Sequence, residues 1–501
     1  MCEFTSEVLA PILSSIRSCK DRNAFVINDK AYTYRLFGEC VSKIRNEVHC
    51  KEINNQIAGL VINDDIETYA SIIALWLEGK SYVPLHPNWP MERITDILEQ
   101  VEVGIILDSS EHTRYGNYPT LATSKLEFKS EYLTVNDSIA DNELAYILFT
   151  SGSTGKPKGV QITRKNIAAF MNSFWQTGID ITSEDRCLQC FDLTFDVSVQ
   201  GYLVSLTRGA CCYTVPYGGV KYILAGSLIE EHKLTFGAMA PSMLRYLRPY
   251  FSEMDVSSLR YCILTAEGCP IELMDEWRKY AVNATLYDFY GPTEATVYST
   301  YYRLNKDSAD KTLNGIVSIG KPLANVSVII VDEELNMVVR GRRGELCISG
   351  DQVTPGYWKN PTQNGRAFFY KEINGESIRF YRTGDLCYMD EDGDIMYSGR
   401  IDQQAKIQGF RVELGEIEYH AREFLKGINA VCIAFSNIHG LTEIAMFIES
   451  AEFDTSELMT FMHSRMPSYM IPTRVQFVAS FPLNANDKID KNKLKESIYV
   501  K

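Results

Sequence analysis

Residues 147–160 read ILFTSGSTGKPKGV, an apolar run that gives way to Thr150, Ser151, Gly152, Ser153, Thr154, Gly155, Lys156 and Lys158. Small residues let backbone N–H groups close around an oxyanion, and lysines add positive charge, so this stretch suits the binding of phosphate oxygens. It is not a Walker loop, which needs four residues between its glycines and Ser or Thr after the lysine. Here two residues separate Gly152 from Gly155, and Pro157 follows Lys156. The glycine spacing of a dinucleotide fingerprint is absent as well. A loop of this composition also reads as a plain surface turn. Other chemistry-bearing residues are equally double-sided in isolation. Glu294, after Pro292 and Thr293, reads as the acidic residue of a helix's first turn. Gly384-Asp385 reads as a turn, and Lys488 is one of four lysines between 488 and 495.

Elements that would hold such groups can be traced along the chain. Short β-branched runs alternate with longer amphipathic stretches over the first four hundred residues, the pattern of α/β layers. IAGLVI (57–62) reads as a buried strand, 66–80 as its crossover helix and SYVPL (81–85) as the next strand. AYILFT (145–150), RYCILTA (260–266) and ATLYDFY (284–290) are further strands ending where glycine or small polar residues begin. Such ends place backbone donors at the carboxyl edge of a sheet, where α/β proteins bind ligands. From about Val317 the texture becomes close-spaced strands and turns, an antiparallel β subdomain. The expected organisation is α/β: a large N-terminal domain over 1–400 with that β subdomain, a hinge at Asp402, and a small mobile α+β domain over 401–501. That small domain carries helices near 413–425 and 455–465 and the strands AVCIAFS and EIAMFIES.

Composition narrows the function classes. Fifty Lys and Arg against 64 Asp and Glu give a net charge of −14, which opposes non-specific nucleic-acid binding. Neither a basic-then-apolar leader nor a run of about 18 apolar residues is present, so the chain reads as cytoplasmic with no membrane insertion. Thirteen scattered cysteines fit reduced, buried thiols. Cys187-x-x-Cys190 followed by Cys211-Cys212 lacks the second spaced pair that a tetrahedral zinc site wants.

The string TSGSTGKPKG resembles the phosphate-loop signature of the adenylate-forming superfamily, which comprises acyl-CoA synthetases, luciferases, and the adenylation domains of peptide synthetases and D-alanyl carrier protein ligases. The likeness runs through the chain in the family's order: EGKSYVPLHPNWPMERI (78–94), the loop, FDVSV (195–199), YGPTEATV (290–297), GELCISGDQVTPGYW (344–358), YRTGDL (381–386), GRIDQQAKIQGFRVELGEIE (399–418), MPSYMIP (466–472) and PLNANDKIDKNKL (482–494). The resemblance implies an AMP-forming ligase working in two steps. A carboxylate attacks the α-phosphate of ATP to give an acyl-adenylate and pyrophosphate, and a thiol then attacks that anhydride.

Site residues follow from the same resemblance. The loop from Thr150 to Lys158 would hold the β- and γ-phosphates, and the Thr150 hydroxyl and Glu294 would position Mg²⁺. The stretch Asp288, Phe289, Tyr290, Gly291, Pro292 and Thr293 would embrace adenine and the α-phosphate, with Tyr290 stacked on the base. Asp385 would accept the ribose hydroxyls, and Tyr397, Ser398, Gly399 and Arg400 would complete those contacts. Lys488 would be the catalytic lysine, reaching both the phosphates and the substrate carboxylate, although Asp487 stands beside it where glycine is usual. Asp402 would be the pivot between half-reactions.

Asp196 in FDVSV corresponds to the aspartate that pairs with the α-ammonium in amino-acid-activating members, a group that is costly to bury unpaired. Asp192, four residues earlier, competes but lies outside the string. Val197, Gln200, Ile263, Thr265, Phe289, Val297 and Tyr298, with Lys488 and less securely Ala238 or Met239, would line the pocket. The bulk of Phe289 and Tyr298 favours a small side chain. The chain resembles D-alanine–carrier protein ligases, but Thr265-Ala266-Glu267 replaces their cysteine before Gly-Glu, which opens a serine-like substrate that uses the threonine hydroxyl. No Gly-Gly-x-Ser segment follows Lys488, so the expected acceptor is phosphopantetheine on a separate carrier protein, met by a basic patch drawn from Arg342, Arg343 or Arg411. An acyl- or aryl-CoA synthetase and a non-catalytic nucleotide-binding relative stand as alternatives.

Overall fold

The computed structural model describes residues 2–51, 56–111, 114–116, 118–136, 138–152, 157–306, 308–402, 404–482 and 489–499. The chain forms two compact units. One comprises Met1–Pro87, Val101–Leu148 and Gly159–Ile401, and the other Asn88–Gln100, Phe149–Lys158 and Asp402–Lys501.

The architecture of the first unit is α/β, as the sequence predicts. Ile57–Val61 is buried at every position and pairs in parallel with Ser81–Leu85 and Ile106–Asp108, a continuous apolar run suiting a strand covered on both faces. These strands belong to a six-stranded sheet in the order Thr120–Ala122, Ile106–Asp108, Ile57–Val61, Ser81–Leu85, Leu144–Thr150, Lys158–Thr163. The crossover helix ends at Leu77, three residues before the end expected from sequence, because Gly79 adopts φ +68° and the chain turns back through Lys80 N–H to the Leu75 carbonyl.

A nine-stranded sheet holds most of the remaining chemistry. Thr285–Tyr290, Tyr261–Thr265, Phe236–Met239, Arg186–Gln189, Cys211–Thr214 and Asn23–Ile27 run parallel in that order. Antiparallel strands close both edges. The helix Val197–Arg208 is buried from Val197 to Thr207, in a core cluster that contains Tyr82, Tyr146 and Leu148 from one sheet and Ala238, Ile263, Tyr287 and Phe289 from the other.

Strands Val326–Val331, Gly344–Gly350, Phe368–Ile373, Glu376–Met389 and Ile395–Arg400 form the antiparallel β subdomain. Gly320 ties it to the large sheet, its carbonyl accepting from Ile395 N–H at 2.8 Å while Ile319 N–H donates to the Ile395 carbonyl at 3.1 Å.

In the second unit, the hairpin Gln404–Ile407 and Phe410–Glu413 leads into the helix Leu414–Phe424. A three-stranded sheet follows, made of Ala430–Ser436, Thr442–Glu449 and Arg474–Val478. Its residues alternate between two cores. Cys432, Ile444 and Met446 pack with Ile417, Leu458 and Met462, whereas Val431, Phe435 and Phe447 pack with Leu494. Leu494 belongs to a short third helix, Lys491–Ser497, absent from the sequence reading.

All thirteen cysteines are free. Burial pushes the Cys190 thiol up to about 11, and its sulfur lies 3.2 Å from the Ala238 carbonyl. Among the described residues no helix is long and apolar enough to cross a membrane.

Gly320 gives a direct test of how the β subdomain is anchored. Its φ is +71°, and a Cβ there would stand 1.9 Å from the Tyr301 carbonyl oxygen, so the backbone itself would have to move. Gly320→Ala is expected to lower unfolding free energy by about 3 kcal/mol or more, measured by urea denaturation.

Candidate functional site

Asp196 opens the helix Val197–Arg208, where an aspartate ordinarily caps the first turn. Its side chain makes no capping bond. The carboxylate is buried, and its Oδ2 has no hydrogen-bond partner. Burial pushes its pKa up to about 6. The charge of Glu294 adds to that, against hydrogen bonds from the Thr293 side chain and the backbone N–H groups of Val297 and Val197. One helical turn on, Gln200 is fully buried with its Nε2 likewise unpartnered.

The other expected lining residues come from neighbouring strand ends. Ala238, Ile263 and Tyr287 lie side by side in register, as do Thr265 and Phe289. Ala238, Ile263, Phe289, Val297 and Tyr298 share the core cluster that contains Val197, while Met239 packs in a separate one, so of Ala238 and Met239 it is Ala238 that lies on the Asp196 side. The Phe289 and Tyr298 rings are 4.8 Å apart, and Phe289 stacks on Tyr301 at 5.5 Å. Asp192 is engaged elsewhere, paired with His86 at 3.0 Å.

Beyond the strand Thr285–Tyr290, Gly291 runs so close to residues 297–299 that a Cβ would stand 2.4 Å from the Val297 carbonyl oxygen. Thr293–Ala295 is a single 3₁₀ turn, and Thr296 and Val297 both take left-handed φ values, +54° and +68°. A non-glycine backbone holds that shape only when its surroundings enforce it. Gln352 does so here, its buried Nε2 donating to the Tyr298 carbonyl at 2.6 Å and, over longer distances, to those of Thr296 and Ala295. Thr354 N–H donates to the Glu294 carbonyl, and the Tyr357 hydroxyl donates to Glu294 Oε1 at 2.7 Å. Gln352, Thr354 and Tyr357 fall within GELCISGDQVTPGYW, but nothing in that string tells which side chains reach back to this turn.

Asp385 lies on the strand Glu376–Met389, just after Gly384 at φ +71°. The Tyr290 hydroxyl donates to its Oδ2 at 2.5 Å, and Arg400 donates to its Oδ1 at 2.9 Å from the directly paired position on Ile395–Arg400. Burial pushes the Tyr290 phenol well above its usual range, so it stays a donor. Asp288 sits in the same strand as Tyr290, and Tyr397, Ser398 and Gly399 precede Arg400 on theirs. Arg342 and Arg343 are exposed on the turn before Gly344.

In the second unit, the Thr150 hydroxyl donates to the Lys158 carbonyl at 3.5 Å. Ser151 Oγ accepts from Glu413 N–H and donates to the Arg411 carbonyl. Gly152 N–H donates to Glu416 Oε2 at 2.8 Å, while Arg93 donates to Glu416 Oε1 at 2.8 Å. Lys158 pairs with Glu413 at 2.9 Å. The loop's amide and its lysine thus both hold carboxylates, as donors arranged for an anion would. Asp402 accepts from Gln404 N–H. Ser153, Thr154, Gly155, Lys156 and Lys488 lie outside the described residues.

Residues 14–358 match the family described as AMP-binding enzyme. Tyrocidine synthase 2 of Brevibacillus parabrevis is 30% identical over 481 residues, 95% of this chain but 13% of the relative's length. Tyrocidine synthase 1 of the same organism is 31% identical over 490 residues, again 95% of this chain and 44% of the relative. This chain therefore spans less than half the length of either. Among solved structures, the Vibrio cholerae adenylation domain AlmE in complex with glycyl-adenosine-5'-phosphate has a TM-score of 0.87 at 24% identity, covering 100% of this chain and 98% of that one.

The orphaned carboxylate predicts a pH signature. With a folded pKa of about 6 against the ordinary 3.8, the native state holds more protons than the unfolded state between those values. Stability from this group is therefore lost as pH rises from about 4 to 6. Asp196→Asn is expected to unfold at higher urea than the unmodified chain above pH 6, by up to about 3 kcal/mol, with the gap closing towards pH 4. A gap that does not change with pH would contradict the assignment.

Proposed function

Because this chain belongs to the AMP-binding enzyme family, and is an AMP-forming ligase of the adenylate-forming superfamily, we propose that it activates a small amino acid as an aminoacyl-adenylate with release of pyrophosphate, then passes the aminoacyl group to the phosphopantetheine thiol of a carrier protein. The observation that carries the amino acid reading is the buried Asp196 oxygen without a partner. A buried carboxylate in that state is stabilised by an ammonium, and an α-amino acid supplies one beside the carboxylate to be activated. Fatty and aryl acids would leave it unpaired.

Each remaining role follows from group chemistry and from the family resemblance. Tyr290 and Asp385 would address the nucleoside, the ring by stacking and the carboxylate by accepting ribose hydroxyls, for which Asp385 exchanges the donors it now holds. Loop residues Thr150 to Lys158 would hold the phosphates. Glu294 and Thr150 offer the hard oxygen donors that Mg²⁺ prefers, and that ion would offset the charge of the triphosphate. Lys488 would act in the adenylation transition state, and Asp402 would let Asp402–Lys501 turn between half-reactions. A D-alanine-like substrate is the version suggested by likeness to the D-alanine–carrier protein ligases; the glycyl-adenylate held by AlmE supports a small one. The carrier reading is supported by a solved protein that contains adenylation and PCP domains, similar to this chain at TM-score 0.86 and 22% identity, over 97% of this chain and 84% of that one. The reaction belongs in the cytoplasm, where ATP is available.

Amino-acid-dependent ATP–pyrophosphate exchange across D- and L-amino acids, with fatty and aryl acids as controls, tests the reading. The expected result is a response confined to small amino acids, reduced about 100-fold or more by Asp196→Ala. Exchange driven only by acids lacking an ammonium would move the chain to the acyl-CoA synthetase class. Lys488→Ala is expected to lower the exchange rate far more than ATP affinity, since bonds made mainly in the transition state appear in kcat. Equal losses would contradict its role.

A further inference from the structure

We infer that Gln200 reads a hydrogen-bond acceptor on the substrate's side chain, so that the preferred substrate is a small hydroxyl-bearing amino acid, serine or threonine, over alanine or glycine. The inference rests on the amino acid reading above and narrows it.

Gln200 is fully buried, yet its Nε2 has no partner. Its other amide atom is spoken for: Tyr298 donates its hydroxyl to Gln200 Oε1 over a long 3.4 Å contact. The Tyr298 oxygen in turn receives a hydrogen bond from the Thr265 side chain. A phenol has one proton to give, so the chain of donors runs from Thr265 through Tyr298 to the Gln200 oxygen. That direction turns the amide NH₂ of Gln200 away from Tyr298 and makes it the terminal donor of the relay. A buried donor left this way costs the full desolvation of the group until an acceptor arrives. Thr265, whose hydroxyl a serine-like substrate was expected to use, is instead spent on Tyr298.

The place of Gln200 says which acceptor arrives. It stands four residues beyond Asp196 on the buried helix Val197–Arg208, so the residues that carry an orphaned acceptor and an orphaned donor share one face, one turn of about 5.4 Å pitch apart along the backbone. The ammonium and β-hydroxyl of one amino acid are three bonds apart, a span that two hydrogen bonds extend across such a turn. Alanine and glycine satisfy only Asp196. A side-chain carboxylate is disfavoured because Asp196 already feels the charge of Glu294. The larger amides are disfavoured by the Phe289 and Tyr298 rings, 4.8 Å apart.

The test is pyrophosphate exchange with both enantiomers of serine, threonine, alanine and 2-aminobutyrate, the last replacing the serine hydroxyl by a methyl group, together with glycine. For the unmodified enzyme, kcat/KM for serine or threonine is expected to exceed that for 2-aminobutyrate and alanine at least 10-fold. Gln200→Leu, of similar shape and without a donor, is expected to lose that preference, with kcat/KM for the hydroxy amino acids falling more than about 10-fold relative to alanine and 2-aminobutyrate. Preference of the unmodified enzyme for alanine, glycine or 2-aminobutyrate overturns the inference without needing the variant. So does an equal loss for all substrates in Gln200→Leu. Exchange with none of the amino acids overturns the amino acid reading itself, and this inference with it.

Discussion

A buried carboxylate with one oxygen left without a partner sets the terms for the first unit of this protein. Asp196 opens a helix buried from Val197 to Thr207, and its desolvation is large enough to raise its pKa to about 6. Such a group persists only where its surroundings cannot relax towards it. The turn at 293–298 supplies that rigidity. Two successive non-glycine residues there are held in left-handed backbone, fastened by Gln352 to three carbonyls and by Tyr357 and Thr354 to Glu294. The candidate pocket wall and the candidate nucleotide edge are the same piece of chain, since Tyr290 at one end bonds Asp385 while Tyr298 at the other bonds Gln200.

The β subdomain contributes side chains to this candidate site. Asp385 and Arg400 face each other across paired strands, and that pairing presents the Asp385 carboxylate to Tyr290. The strand carrying Arg400 begins at Ile395, the residue that Gly320 fastens to the large sheet. A shift at this joint would be felt at Asp385 and Tyr290 before it reached Asp196 and Gln200.

Much of this was legible in the residues. Apolar runs that stop at glycine or small polar residues gave the parallel strands at 57, 81, 145, 260 and 284, because strands buried on both faces have few other ways to be written. The family-like strings placed Asp196, Tyr290, Glu294 and Asp385 on their elements. What stayed hidden depends on long-range partners. Gln352 and Tyr357 act through residues more than fifty positions away, and no local periodicity marks a side chain that bonds so distant a carbonyl or carboxylate. The early end of the helix at Leu77 came from a left-handed glycine, and the helix Lys491–Ser497 is too short and lysine-rich for its one buried leucine to announce it.

Gly152 holds the carboxylate of Glu416, which Arg93 grips from the other side. A phosphate arriving at that amide would therefore meet a filled position, and its uptake would be an exchange of anions. The gain would be a difference between two oxyanions rather than the whole attraction of one, so binding at the Gly152 amide would depend on charge density and not merely on charge sign. A triphosphate chelated to a divalent ion, a lone inorganic phosphate and a carboxylate metabolite would all be drawn to the same amide, and the tethered glutamate is the standard that each must exceed.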